Sequence, residues 1–139
     1  MAVRVVLDTN ILISACLKPQ GLEAQVVEMA LCREIEACVS EAVFDEYAEV
    51  LRRPKFSGFQ DKAESLLAKI ERTAIKVLPG ERLDIATDED DNRFLECAEA
   101  SGAEFLITGN LRHYPAAWGL VRVVNARGFI ELSPPSENP

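Results

Sequence analysis

The feature that most constrains this chain is a mostly apolar run at residues 3–7, which three small polar residues follow at once. A short run of this kind, rich in β-branched residues, is typical of a strand buried on both faces of a parallel sheet. Ligands of open α/β sheets bind beyond the carboxyl ends of such strands. We therefore expect Asp8 to stand at a functional edge, followed by Thr9 and Asn10.

A second interpretation of Asp8 is structural. An Asp that follows a strand often caps the next helix. Thr9 or Asn10 could supply that cap instead, which would leave the Asp8 carboxylate free for chemistry. The choice between the two depends on the rest of the chain.

The length and composition predict one domain. A chain of 139 residues with 48% hydrophobic residues can bury a core. We predict that this domain covers residues 1–132 and that the proline-rich tail, residues 133–139, is disordered. No apolar run is long enough to span a bilayer, and the start lacks a signal-peptide layout, so we expect a cytoplasmic protein without membrane contact.

Charge and cysteine usage exclude several kinds of site. The four cysteines form no C-x-x-C pair, and we predict that they are small core residues in a reducing compartment. The single histidine excludes sites that need several. A net charge of −8 disfavours non-specific duplex binding, but a carboxylate metal site with a local basic strip could still act on nucleic acid.

Strand and helix patterns alternate along the rest of the chain. We predict strands or extended segments at residues 36–40, 75–78, 105–108 and 121–124. We predict helices at residues 22–33, 41–53, 59–74 and 90–101, with a short helix or turn at 126–132. This alternation predicts an α/β fold with a parallel sheet and helices on both faces.

Three acidic residues stand where an acid is locally unfavourable. Asp8 ends a buried strand, Glu46 shares a helix face with Val43, and Asp91 shares one with Leu95. Buried carboxylates repel one another unless a cation lies among them, and oxygen ligands without His or Cys suit Mg²⁺ or Mn²⁺. Each position alone has an ordinary explanation, a solvated helix face for Glu46 and a helix-dipole preference for Asp91. Only the three together favour a metal site.

Four motifs of the chain resemble those of a known family. They occupy residues 5–10, 39–56, 88–98 and 105–115, and they occur in the family's order. The chain resembles the PIN-domain family, in particular the VapC-like toxin components of bacterial toxin–antitoxin pairs. The resemblance covers about residues 3–131.

The resemblance implies a PIN-like three-layer α/β/α sandwich with a central parallel sheet, and a ribonuclease that depends on Mg²⁺ or Mn²⁺. The positions that match its catalytic metal ligands are Asp8, Glu46 and Asp91. The positions that match its polar supports are Asn10 and Thr108. Asn110 stands where the family often has a fourth acid, so we assign it a supporting role.

The resemblance also implies partners. RNA is the expected substrate, a small antitoxin is the expected protein partner, and a homodimer is the expected assembly. The candidates for binding the RNA backbone are Arg52, Arg53, Lys55, Arg112 and His113. An ordinary solvated surface is the alternative for this basic set.

Two other functions stay open. Asp8 could be the nucleophile of a phosphoacceptor or phosphatase fold, although Asn10 stands where the usual signature has a second Asp. The chain could also be a catalytically weakened PIN domain that binds RNA or a protein without cleavage, and Asn110 is the support for that alternative.

Overall fold

One mixed β-sheet organises the molecule. The computed structural model describes residues 2–80, 82–84 and 89–132. Within these residues six strands form the sheet, in the order β3-β2-β1-β4-β6-β5. The strands are β1 (Arg4–Leu7), β2 (Glu36–Val39), β3 (Ile75–Lys76), β4 (Phe105–Ile107), β5 (Ala117–Trp118) and β6 (Val121–Val124). The predicted disordered tail lies outside the described residues, as does most of the acidic loop.

The sheet reverses its strand order at β1. The chain proceeds from β1 to β2 and β3 on one side, and then places β4 on the other side of β1. All of these strands are parallel, with Leu7 in register with Ile107. This is the switch point at which open α/β sheets form a crevice.

One edge strand departs from the parallel direction that the sequence predicts. The short strand β5 pairs with β6 in the antiparallel direction. The chain returns through a tight turn in which Gly119 has a φ of +60°, a conformation that favours glycine. A turn this short connects only antiparallel strands.

Helices flank the sheet and complete the predicted α/β sandwich. They are α1 (Thr9–Leu17), α2 (Leu22–Leu31), α3 (Glu41–Leu51), α4 (Gln60–Thr73), α5 (Glu89–Ser101) and α6 (Ala126–Leu132). Helix α5 packs against β1, β2 and β4, whereas α6 packs against β4, β6 and α2. Short 3-10 helices occupy Pro54–Phe59 and Leu111–His113. No helix of the described residues is long and apolar enough to cross a membrane.

Helix boundaries follow local chemistry. The Ser40 hydroxyl caps α3 by accepting a hydrogen bond from the Val43 N–H at 3.1 Å, as its position before the helix predicts. Helix α3 ends at Leu51, two residues before the predicted end, because Pro54 opens a 3-10 helix. Helix α5 is followed by Gly102, whose φ of +71° ends it.

The central strands are buried on both faces. Val5, Val6, Leu106 and Ile107 are fully buried, which confirms the interpretation of the opening run as a central strand. Burial on both sides leaves the carboxyl ends of β1 and β4 as the place where these strands meet polar groups.

The prediction for the cysteines was wrong at one position. All four are free, and three of them are buried: Cys16, Cys38 and Cys97. Cys32 is exposed because it follows the last residue of α2, and its thiol donates to the Glu28 carboxylate at 3.1 Å.

Candidate functional site

The site is built around Asp8, the first residue after β1. Only 6% of this side chain is exposed, although it carries a carboxylate. Thr108 is the first residue after the neighbouring strand β4, and its hydroxyl donates to Asp8 Oδ2 at 2.8 Å. The two residues therefore meet across the switch point of the sheet, where a ligand crevice is expected.

Asp8 is itself the N-cap of α1, so the suggestion that Thr9 or Asn10 caps the helix was wrong. The Thr9 N–H donates to Asp8 Oδ1 at 2.7 Å, because the extended backbone of Asp8 turns its carboxylate back onto the helix start. The cap takes one hydrogen bond to Oδ1, whereas Oδ2 accepts the other hydrogen bonds. The structural and the functional interpretations of Asp8 are thus compatible.

Tyr114 links the Asp8 carboxylate to a second acid. The Tyr114 hydroxyl donates to Asp8 Oδ2 at 3.1 Å, and the side chain is buried. Burial raises the pKa of Tyr114, and the charges and hydrogen-bonding oxygens of Asp8 and Asp91 raise it further. Both carboxylates therefore lie around one phenol.

Asp91 comes from the first turns of α5 and is largely buried. Its side chain is 13% exposed, and Oδ2 lies 3.3 Å from His113 Nδ1. The helix presents Asp91 toward the sheet on the same side as Leu95, which is fully buried. The structure thus brings together two of the three predicted acids.

Glu46 lies at the margin of this cluster. Its side chain is half-buried, and Oε2 makes a long contact of 3.5 Å with the Thr9 hydroxyl. The next residue, Tyr47, donates its phenol hydroxyl to the Leu7 carbonyl at 2.5 Å. This bond ties α3 to the end of β1 and so holds Glu46 on the side of the sheet edge where Asp8 lies.

Burial dominates the electrostatics of Asp8. Desolvation raises its pKa above the usual 3.8, and the hydrogen bonds from Thr108, Tyr114 and Thr9 lower it in part. A cation bound beside this carboxylate would stabilise the ionised form and so lower the pKa of Asp8.

The donor set suits a hard divalent cation. Among the described residues, no three acidic, histidine or cysteine side chains lie close enough to hold a metal ion together. Mg²⁺, however, commonly binds one or two carboxylates and keeps several waters. Asp8 and Asp91 supply two carboxylates. Glu46 is connected to this pair through its contact with the hydroxyl of Thr9, the residue after Asp8. The residues present therefore fit Mg²⁺ or Mn²⁺.

The predicted supports contact the site in two ways. Asn10 Nδ2 donates to Asp8 Oδ2 at 3.3 Å and to the Thr108 hydroxyl at 3.4 Å, while its Oδ1 accepts from the Gly109 N–H at 2.8 Å. A Cβ atom at Gly109 would stand 3.2 Å from Asn10 Oδ1, so glycine allows this close approach. The Asn110 N–H donates to the Thr108 hydroxyl at 2.9 Å, whereas the Asn110 side chain is exposed.

The predicted RNA-binding residues fall into two groups. Arg52 and Arg53 form ion pairs with Glu64 and Glu49 at 2.7 and 2.8 Å, and Lys55 lies 5.2 Å from the centre of the adjacent Phe56 ring. The second group is Arg112 and His113. His113 lies at the site because it contacts Asp91 directly, and Arg112 is the exposed residue before it.

Tyr114 is the site residue whose role sequence reasoning missed. Its hydroxyl donates to a residue 106 positions away in the chain. No local pattern around Tyr114 reports such a contact. The one signal in the sequence was its place within the motif at residues 105–115, which follows β4 on the same sheet edge as Asp8.

Comparisons with known proteins agree with this architecture. A family model described as "PIN domain" matches residues 4–112. An uncharacterized protein of Methanocaldococcus jannaschii is 27% identical over 111 residues, which cover 78% of this chain and 71% of that protein. In the crystal structure of VapBC2 from Rickettsia felis bound to a DNA fragment from their promoter, one chain aligns with a TM-score of 0.57 and 18% identity. That alignment covers 88% of this chain and 98% of the other.

Proposed function

The chain belongs to the PIN-domain family, and from that premise we propose that it is a metal-dependent endoribonuclease, the toxin of a type II toxin–antitoxin pair. PIN domains are generally nucleases. The proposal adds a divalent metal ion and an RNA substrate to that general activity. The observation that carries it is the buried Asp8 carboxylate at the switch point, which shares the Tyr114 hydroxyl with Asp91. Carboxylates buried in this way are normally compensated by a cation. The proposal includes a cytoplasmic location, because the substrate is RNA.

The residues of the chain have distinct tasks in this proposal. Mg²⁺ or Mn²⁺, when bound, polarises a phosphate oxygen and lowers the pKa of a bound water, so that water can hydrolyse a phosphodiester. Asp8 and Asp91 would hold the ion, and Glu46 would reach it or one of its waters. Asp8 Oδ1 has room for this, because it accepts one hydrogen bond and a carboxylate oxygen has about two acceptor sites.

The neighbouring polar groups orient the Asp8 carboxylate. Thr108 and Tyr114 donate to Oδ2, and Asn10 reaches both Asp8 and Thr108. Supports of this kind orient metal ligands, and losing one typically costs about 10- to 100-fold in metal affinity or activity. His113 lies against Asp91, and Arg112 is the exposed residue before it, so this pair would hold the RNA backbone.

The test is cleavage of single-stranded RNA by the Asp8→Asn variant and by the wild type in excess chelator. We expect both to lose activity by at least roughly a hundredfold, because a metal ion supplies several kcal/mol of transition-state stabilisation. Asp61→Asn is the matched control, since Asp61 is an exposed acid on α4. Full activity of Asp8→Asn, or full activity in chelator, would contradict the proposal.

The two alternative functions have less support. A phosphoacceptor role is disfavoured by Asn10, which stands where the usual signature has a second Asp and which donates to Asp8 Oδ2. A domain that binds without cleavage is favoured only by Asn110 in place of a fourth acid. RNA binding that persists in chelator without any cleavage in Mn²⁺ would favour that alternative.

The proposal includes two protein partners. A small antitoxin would block the site by inserting a basic side chain among the carboxylates, in the place where a cation binds. The structural neighbour VapBC2 is a toxin–antitoxin complex, which supports a partner of this kind. The second partner is another copy of this chain, as the resemblance to VapC-like proteins implies.

A further inference from the structure

A polar cleft opens beside the carboxylates and takes no part in the proposed metal binding. Its volume is about 410 Å³, and small-ligand sites usually have volumes of roughly 300–1,000 Å³. The cleft is lined by Gly109, Asn110, Leu111, Arg112, His113 and Asn125. These residues follow β4 and β6, which are neighbouring strands, so the cleft lies along the sheet edge that carries Asp8.

Two contacts connect the wall of this cleft to the carboxylates. The Asn110 N–H donates to the Thr108 hydroxyl at 2.9 Å, and that hydroxyl donates to Asp8 at 2.8 Å. On the other side, His113 Nδ1 lies 3.3 Å from Asp91 Oδ2. A polymer whose scissile phosphate lies at the carboxylates would therefore place an adjoining nucleotide in the cleft.

Arg112 gives the cleft a cation that is available to a ligand. It is exposed and forms no ion pair with the residues that the structure describes. Arg52 and Arg53, by contrast, are engaged by Glu64 and Glu49. In a protein with a net charge of −8, an exposed guanidinium that forms no ion pair among the described residues is a specific feature of this cleft. Its planar group suits a phosphate.

Asn125 gives the cleft a hydrogen-bond donor in a fixed orientation. Its Oδ1 accepts from the Gly128 N–H at 2.7 Å, which caps the start of α6 and assigns the two ends of the amide. The Nδ2 group makes no hydrogen bond within the described residues, so its two protons are available to a ligand. Single-stranded RNA is read mainly through hydrogen bonds to the edges of unstacked bases.

We propose that this cleft is a nucleotide subsite, in which Asn125 Nδ2 donates to an acceptor atom on the edge of a base and Arg112 binds the adjoining phosphate. The subsite rests on the proposed ribonuclease function and adds the source of base preference to it. Asn125 lies beyond residues 4–112, which the family model matches.

The decisive variant is Asn125→Asp. An aspartate can still accept from the Gly128 N–H, so the cap of α6 is kept, while the Nδ2 donor is replaced by an oxygen. The measurement is the affinity of four labelled homopolymeric RNA decamers in chelator, by fluorescence anisotropy. We expect the wild type to distinguish the bases by roughly tenfold, the usual size of one well-placed hydrogen bond to a base edge. Asn125→Asp should lose or invert that preference.

Arg112 and its control test the phosphate contact. Arg112→Ala should weaken all four decamers about equally and reduce the salt dependence of binding. Arg127→Ala removes the same charge from an exposed position on α6 outside the cleft and should leave the order of the four affinities unchanged. Equal affinities of wild type for the four decamers, or an unchanged preference in a folded Asn125→Asp variant, would overturn the subsite. Cleavage of the same decamers by wild type in Mn²⁺ tests the proposed ribonuclease function separately.

Discussion

The Asp8 carboxylate combines burial with hydrogen bonds from four other residues, and this combination has a measurable cost without a cation. Its pKa is raised above 3.8, mainly by burial. The folded protein therefore holds the Asp8 proton more tightly than the unfolded chain does. Protonated Asp8 therefore adds to the free energy of unfolding. This contribution is fully present below pH 3.8 and is lost as the pH rises through the pKa that Asp8 has in the folded protein.

Asp8→Asn removes this pH dependence, because an asparagine is neutral at every pH and still caps a helix. In chelator, we expect the free energy of unfolding of Asp8→Asn, relative to wild type, to increase as the pH rises from about 4 toward neutrality. Urea unfolding at a series of pH values measures it. Asp61→Asn should run parallel to wild type, and a parallel curve for Asp8→Asn would show that burial does not penalise the Asp8 charge.

Single residues were predictable where the reason for them is local. Asp8 follows an apolar run, and Asp91 shares a helix face with Leu95, so the sequence alone singles out both acids. Tyr114 and Asn125 are different, because their importance comes from residues that are distant in the chain or from a cavity between strands. Periodicity carries no information about such contacts.

At the scale of elements, α3 is positioned by one buried hydrogen bond. The Tyr47 hydroxyl donates to the Leu7 carbonyl at 2.5 Å, and Tyr47 is 1% exposed. Tyr47→Phe removes one atom and leaves a buried carbonyl with one partner fewer. We expect it to lower the free energy of unfolding by about 1–3 kcal/mol, as measured by urea denaturation.

Thr73→Val provides the comparison for Tyr47→Phe. Its hydroxyl donates to the Lys69 carbonyl at 2.8 Å near the surface. Losing an exposed hydrogen bond should change stability by only about 0.5 kcal/mol or less. If both variants lost the same free energy of unfolding, the hydrogen bond from Tyr47 to Leu7 would not be what positions α3 and Glu46.

Elements were predictable in proportion to their length. The helices α2, α3, α4 and α5 show an apolar stripe or a capping residue that a sequence displays. The 3-10 helices and the strand β5 are too short for periodicity, and tertiary contacts determine them. The antiparallel pairing of β5 was missed for this reason.

At the scale of the whole molecule, the strand order places the acids together. The alternation of strands and helices predicts a parallel sheet, but it does not say which strand lies beside β1. The structure places β4 there, so Thr108 meets Asp8. The resemblance to the PIN-domain family supplied this arrangement indirectly, through the expected grouping of Asp8 with Thr108.

The homodimer is tested by the mass of the purified protein. Light scattering at micromolar concentration should give twice the 15.3 kDa of one chain. The mass of a single chain would contradict the dimer. It would not contradict the ribonuclease proposal, because Asp8, Asp91 and the residues around them all come from one chain.

The antitoxin is tested through the same carboxylates that hold the metal. If a small protein encoded beside this chain inserts a basic side chain among Asp8 and Asp91, co-expression should yield a complex that weakens when one of those charges is removed. We expect Asp8→Asn to dissociate roughly tenfold or more faster than wild type, because it removes one partner of a buried charged pair. Asp61→Asn should dissociate like wild type. Excess Mn²⁺ should compete with the antitoxin in wild type, and it should compete less in Asp8→Asn. A complex that ignores both Asp8→Asn and Mn²⁺ would mean that the antitoxin binds away from the carboxylates, and inhibition would then require another mechanism.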